Sequence, residues 1–189
     1  METFRHFIEN YTSLSNTEWE QISRCCEKRI VEKGEVLLEQ GKICKHLYFL
    51  ERGLLRFYIF KDGNDITKFF TASPYCFTSQ VSFNMQKPAT ENIQALEKSI
   101  VWQISAQQVN ELFELKGWAN FARKITQEVQ FFTEEILEDI QTETAEYRFK
   151  KMLETTPKLV QRIPLKHLAT FLGIAPQSLS RIRKKLHET

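Results

Sequence analysis

The chain has 189 residues, 42% of them hydrophobic and 26% charged, with a formal net charge of +2. That apolar share supports a sizeable core and excludes a disordered chain, while so small a net charge gives no support to nucleic-acid binding until the chain is divided. No stretch approaches the roughly 18 uninterrupted apolar residues of a membrane span, and METFRHFIENY lacks a basic region followed by a long apolar run, so a soluble cytoplasmic protein without a membrane partner is expected.

In chain order, residues near Phe4 to Tyr11 and Thr17 to Cys25 read as short helices, with Ser15-Asn16-Thr17 as a cap ahead of Trp19 and Ile22. From Ile30 the pattern changes to short apolar runs: VLL at Val36, LYFL at Leu47 and LLRFYIF at Leu54. Glycines at Gly34, Gly41 and Gly53 and the pair Asp62-Gly63 cut them apart. Asp-Gly between two such runs predicts a tight hairpin. Ile66 to Phe70, Asn92 to Leu96 and Ile100 to Ile104 continue the series. About eight short strands between residues 30 and 104 predict an antiparallel β-roll or jelly-roll barrel. Cys25, Cys26, Cys44 and Cys76 show no paired metal spacing, and the adjacent Cys25 and Cys26 read as buried small apolar residues in a reducing compartment.

Ser105 opens a helix through Phe113. A longer one, Gly117 to Gln141, carries Trp118, Ala122, Ile125, Val129, Phe132, Ile136 and Ile140 at intervals of three and four, close to a heptad seam. At 1.5 Å per residue the helix is about 36 Å long, more than one small barrel covers. The seam predicts a homodimer, with Phe121, Phe131 or Leu137 turned to the barrel. A further helix, Thr144 to Glu154, leads to the end of the chain.

There, PLKHLATFLGIAPQSLSRIRKKLHE reads as helix, turn and helix. Leu165, Leu168, Ala169 and Leu172 mark one apolar face, Gly173 stops the helix, and Pro176 opens the next. The second helix buries Leu179, Ile182 and Leu186 and leaves Gln177, Ser178, Arg181, Lys184 and Lys185 outside. A small residue, a glycine four later and a leucine six after that is the skeleton of a DNA-binding helix-turn-helix. Gln pairs with adenine and Arg with guanine through two hydrogen bonds each. Charge agrees: residues 142–189 hold ten Lys or Arg against four Asp or Glu, a net of +6, leaving −4 for residues 1–141.

A glycine-punctuated barrel, a long heptad helix and a terminal helix-turn-helix, in that order, resemble the Crp/Fnr family of bacterial transcription regulators. KGEVLLEQGKICKHLYFLERGLLRF and LATFLGIAPQSLSRIRKKL carry the resemblance most specifically. It implies an α+β protein of three parts. These are an effector domain with the cyclic-nucleotide-binding-like β-roll (1–116), a dimerisation helix (117–141) and a DNA-binding domain (142–189) with recognition helix 176–187. Double-stranded DNA, a second copy, RNA polymerase and a small-molecule effector are the partners it implies; an enzyme is not expected. Family members use an Arg-Glu pair and a later Arg on the bases. Here only Arg181 remains, with Pro176 and Gln177 at the other two places, and the wing that follows the recognition helix in the family is not expected.

The effector pocket departs further. Cyclic-nucleotide-binding members use a Gly-Glu pair and, nine residues after the Glu, an Arg followed by Ala, Ser or Thr. Ser79-Gln80 and Ala89-Thr90 stand at those places, and Thr133 aligns with a nucleotide-reaching position on the long helix. Losing the charge-assisted pair removes about 2–5 kcal/mol, so the pocket is degenerate for cyclic nucleotides. Neither an iron–sulfur cysteine cluster nor a motif-placed axial histidine is present, and no cofactor or metal is expected. The alternative readings are a cupin-like metalloenzyme and a small-molecule-binding β-barrel module with a protein-interaction hairpin. The first needs clustered ligands, whereas His6, His46, His167 and His187 lie far apart in sequence.

Overall fold

A computed structural model describes residues 1–187; Glu188 and Thr189, the end of the expected DNA-binding domain, lie outside the described residues. Two helices come first, α1 (Glu2–Glu9) and α2 (Asn16–Arg24). The strands are β1 (Glu27–Val31), β2 (Val36–Leu38), β3 (His46–Arg52), β4 (Leu54–Lys61), β5 (Asn64–Ala72), β6 (Tyr75–Phe77), β7 (Asn92–Ala95) and β8 (Ser99–Ser105), with α3 (Gln80–Met85) before β7. Helices α4 (Ala106–Leu112), α5 (Lys116–Thr142), α6 (Ala145–Thr155), α7 (Pro157–Arg162), α8 (Leu165–Leu172) and α9 (Pro176–His187) complete the described chain. The sequence reading named no element at β1, β6, α3 or α7, all short.

Local chemistry sets most boundaries. Ser15 and Glu18 form a reciprocal capping box on α2, and Ser105 and Gln108 form another on α4. Thr144 accepts from Tyr147 N–H at the start of α6. At the β4–β5 hairpin Lys61 faces Asn64, and both Asp62 (φ 52°) and Gly63 (φ 77°) are left-handed, as the two-residue turn requires.

The strands form two antiparallel sheets, β1-β8-β3-β6 and β2-β7-β4-β5. The sheets share one core between them and each carries a helical cluster on part of its outer face, and side-chain alternation distributes residues between the layers. In β3, Tyr48 and Leu50 enter the core between the sheets, while Phe49 points out and stacks on Phe4 of α1 at 4.4 Å between ring centroids. In β4, Leu55 and Phe57 point inward, while Leu54 joins a third cluster with Phe149, Leu168, Ala169 and Leu179 of the C-terminal helices.

Helix α5 corrects part of the expected seam. Trp118 is 1% exposed and packs with Phe121 among Phe4, Phe7 and Leu112, so it is not available to a second chain. Gly117 N–H donates to Glu18 Oε1 at 2.8 Å, which ties the root of α5 to α2. Phe121 touches the barrel as expected. Phe131 and Leu137 do not: they are 65% and 54% exposed, because α5 leaves the barrel after about two turns.

The C-terminal helices are held to the second sheet through Arg56, which is 3% exposed on the outer face of β4. Its guanidinium donates to both carboxylate oxygens of Asp65 (2.6 and 2.7 Å), to Gln94 Oε1 (2.9 Å), to Thr67 Oγ1 (3.3 Å) and to His167 Nδ1 on α8 (2.8 Å). A guanidinium only donates, so His167 is neutral with its proton on Nε2. Burial pushes the His167 pKa down to about 4; Arg56 and Lys166 act in the same direction and Asp65 against it. Beside this contact, Thr67 N–H donates to Thr170 Oγ1 at 3.2 Å. Arg162 donates to Gly53 O at 3.0 Å and to Glu97 Oε1 at 2.6 Å.

Gly53, between β3 and β4, has φ +126°, and a Cβ there would lie 2.1 Å from Ser99 Oγ and 2.9 Å from Ser99 Cα. Gly53→Ala is expected to lose about 3 kcal/mol, read as a lower urea midpoint, and an unchanged midpoint would contradict the packing described. The His167 contact predicts a pH dependence. The unfolded imidazole titrates near 6.5 and the folded one near 4, so between these values the unfolded chain binds the extra proton. This contribution is complete above about pH 6.5 and is lost as pH falls toward about 4, by about 2–3 kcal/mol. His167→Gln, which keeps an acceptor for Arg56, should flatten that slope in urea unfolding at pH 4.5 and 7. An equally steep slope in the variant would rule His167 out as its source.

Candidate nucleic-acid interface and effector pocket

Helices α8 and α9 meet at a residue without bulk. Ala169 is fully buried in the same cluster as Leu168, Leu172 and Leu179, which is also fully buried. Gly173 ends α8 at φ 73°, and the chain reverses through two bonds, Ile174 N–H to Ala169 O (3.0 Å) and Gly173 N–H to Thr170 O (3.2 Å). This is a Schellman closure, in which a left-handed residue lets the last carbonyls find donors. Arg148 of α6 donates to Leu172 O at 2.8 Å and satisfies another. Pro176 then starts α9.

The five residues expected to meet DNA share α9, and all are exposed: Gln177, Ser178, Arg181, Lys184 and Lys185. Gln177, Arg181 and Lys185 follow one another at intervals of four, so they form one stripe. Lys185 Nζ donates to Glu146 Oε1 at 2.7 Å. From Pro176 to His187 the sequence carries Arg181, Arg183, Lys184 and Lys185 and no acidic residue. The surface of α9 is therefore a compact positive field over a polar, hydrogen-bonding stripe.

The expected pocket residues are only partly together. Ala89 is buried, its N–H donates to Lys42 O and its carbonyl accepts from Gly41 N–H, both at 2.8 Å. Gln80 is exposed, and its side-chain oxygen lies 3.4 Å from Asn84 Nδ2 along α3. Thr133 is exposed on α5 and donates to Val129 O at 2.7 Å, so its hydroxyl is engaged with its own helix. Ser79 and Thr90 do converge, on a residue the sequence reading overlooked. Glu91 is 8% exposed; its Oε1 accepts from Ser79 Oγ at 2.6 Å and its Oε2 from Thr90 Oγ1 at 3.0 Å and Lys68 Nζ at 3.1 Å. Burial raises the Glu91 carboxyl, and the Ser79 hydroxyl, the Lys68 ammonium and the Thr90 hydroxyl outweigh it, holding the group below the usual carboxylate range. No spacing rule marks a lone Glu after Ala-Thr; a buried position between two polar neighbours was the available signal.

Beyond its root, α5 presents apolar side chains to water. Phe132 and Ile140 are 52% and 55% exposed, and Val129 and Ile136 are half-buried. Phe132, Ile136 and Ile140 line one side of a groove of about 660 Å³, whose other side is formed by Phe70 of β5, Met152 of α6 and Phe171 of α8. Lys151 ties α6 back to α5 through Glu135 (2.8 Å) and Asp139 (2.7 Å).

No described helix is long and apolar enough to cross a membrane. Among the described residues, no three His, Cys, Asp or Glu side chains gather as a metal-ligand set.

Comparison with known proteins places this geometry. Residues 28–116 match the cyclic nucleotide-binding domain family. No curated protein matches the chain in sequence. The fold is similar to that of FixK2 from Bradyrhizobium japonicum, with TM-score 0.73 and 16% identity over 86% of this chain and 85% of that one. It is also similar to a putative transcriptional regulator of the Crp/Fnr family from Eubacterium rectale, with TM-score 0.69 and 19% identity over 92% and 84%. The c-di-GMP responsive global regulator CLP of Xanthomonas campestris gives TM-score 0.68 and 14% identity over 92% of both chains. The chain thus resembles these regulators in fold over most of its length, and its β-roll lies within the stretch that matches the cyclic nucleotide-binding domain family.

Proposed function

We propose that the protein is a homodimeric, DNA-binding transcription regulator of the Crp/Fnr type. In this reading residues 1–116 are the effector domain, 117–141 the dimerisation helix and 142–189 the helix-turn-helix domain, with 176–187 as recognition helix. The observation that carries it is α9: an exposed helix with four cations and no acid, held at a fixed angle by Ala169, Gly173 and Leu179. The likeness in fold to regulators of gene expression supports it. Gln177 and Arg181 read base edges, while Ser178, Lys184 and Lys185 lie nearer the phosphates. The β-roll does not take a cyclic nucleotide, since Ala89 stands in the place of the arginine and is turned into the core.

A second copy is the occupant that suits the outer part of α5. Val129, Phe132, Ile136 and Ile140 continue the heptad spacing of Ala122 and Ile125, which sit half-buried nearer the barrel, so the face is complementary to itself about a two-fold axis. Such a dimer places two recognition helices about 34 Å apart, one turn of DNA, and the operator is an inverted repeat with centres about 10 base pairs apart.

Phe132→Glu tests the dimer without touching the monomer's core, because Phe132 is more than half exposed. Its mass by light scattering should fall to that of one chain; a persisting dimer would remove this face as the interface. Selection from random duplex DNA should return the inverted repeat. Arg181→Ala should then lose about 1–3 kcal/mol and relax preference at one position per half-site. Lys184→Ala should weaken all duplexes alike and reduce the salt slope. Unchanged preference in a folded, dimeric Arg181→Ala protein would end the base-reading assignment.

A further inference from the structure

The converging contacts at Glu91 carry a consequence for what the β-roll can bind. Three donors from three separate segments meet one carboxylate: Lys68 from β5, Ser79 ahead of α3 and Thr90 ahead of β7. Lys68 and Ser79 lie 23 and 12 residues from Glu91 and Thr90 is its chain neighbour, so two distant segments close the seat around one local hydroxyl. Two of the three, Ser79 and Thr90, stand where the resemblance puts the partners of a ligand's sugar and phosphate. The anion in the seat belongs to the protein itself, and it is almost wholly removed from water.

We propose that Glu91 is a built-in occupant of the anion seat of the β-roll, replacing a ligand's phosphate and restricting any effector to molecules without an anionic group at that end. The inference rests on the reading of residues 1–116 as an effector domain. The carboxylate supplies two oxygens for the Ser79, Thr90 and Lys68 donors, as one face of a phosphate would. A second anion entering the seat would meet Glu91 at hydrogen-bonding range, a like-charge contact that lowers affinity on the order of a thousandfold. Because the internal carboxylate is tethered, it fills the seat at any effector concentration, and the donors stay ordered without a ligand. The absence of a cation at Ala89 and the presence of an anion at Glu91 then act together: the first removes attraction for a phosphate and the second adds repulsion.

Vacating the seat tests this in the full-length protein. Glu91→Ala leaves Ser79, Thr90 and Lys68 around a space the size of a small carboxylate. Its melting temperature should fall below that of the unmodified protein. Added sodium formate should raise it again, saturably and by about 3 °C or more, while sodium chloride at equal ionic strength does not. The unmodified protein should show no difference between the two salts, and no heat of binding with inorganic phosphate or cyclic AMP. Glu91→Ser, which keeps a hydroxyl for its neighbours, is a second vacated form. If neither variant folds in chloride, refolding in formate should recover them. Equal responses to formate and chloride in the variants, failure to refold in either salt, or binding of phosphate or cyclic AMP by the unmodified protein would each overturn the proposal. The DNA assays are independent of these arms. A protein that ignores DNA yet shows the formate response loses the regulator reading and keeps the assignment of Glu91; the reverse result keeps the regulator and loses Glu91.

Discussion

Arg56 lies beneath α8 with its charge withdrawn from water, and that charge has to be satisfied inside the protein. Asp65, Gln94 and Thr67 come from its own sheet, and His167 comes from the C-terminal helices. Asp65 balances the charge within the sheet, and the His167 contact adds a hydrogen bond to a charged donor, a contribution of about 1.5–3 kcal/mol that joins the helices to the sheet. The orientation of α9 depends on this contact, because α8 bears both His167 and the Ala169–Leu179 junction that fixes α9. The same sheet that forms the β-roll therefore sets where the basic helix points.

The two polar centres are built on opposite principles. At Arg56 a buried cation recruits donors' counterparts from across the molecule and becomes a joint between the roll and the helices. At Glu91 a buried anion recruits donors from within the roll and closes a place where a ligand could enter. Both are withdrawn from water and both are paired, as buried charges have to be. Together they account for how the β-roll can hold its C-terminal helices in a set position while its anion seat is occupied by its own side chain.

Helix α5 is divided by the same logic of coverage. Its first turns are enclosed by α1, α2 and α4, with Gly117 admitting Leu14 and Glu18 at a distance no side chain would allow. Its later turns lose that cover and carry Phe131, Phe132, Leu137 and Ile140 in water. Apolar area of this kind, continuous along one helix, is the mark of a surface that is covered in the working state.

The sequence by itself determined the features that depend on near neighbours. Turn residues with a steric requirement fixed the hairpin at Asp62-Gly63 and the end of α8 at Gly173. Side-chain caps fixed the starts of α2, α4 and α6, and the periods of two and 3.6 separated strands from helices. It also determined the basic face of α9, which needs only helical spacing and charge. What it left open was which outward faces find cover. In LLRFYIF nothing marked Arg56 for burial, and Trp118 looked like part of a seam. Only the tertiary structure put α8 over the first and α1 over the second. It alone brought Lys68 and Ser79 to Glu91 and its neighbour Thr90, because residues up to 23 apart in the chain meet there through the fold of the roll rather than through any local spacing. A local code records conformation and periodicity; which polar groups become each other's partners depends on where the chain brings distant segments together.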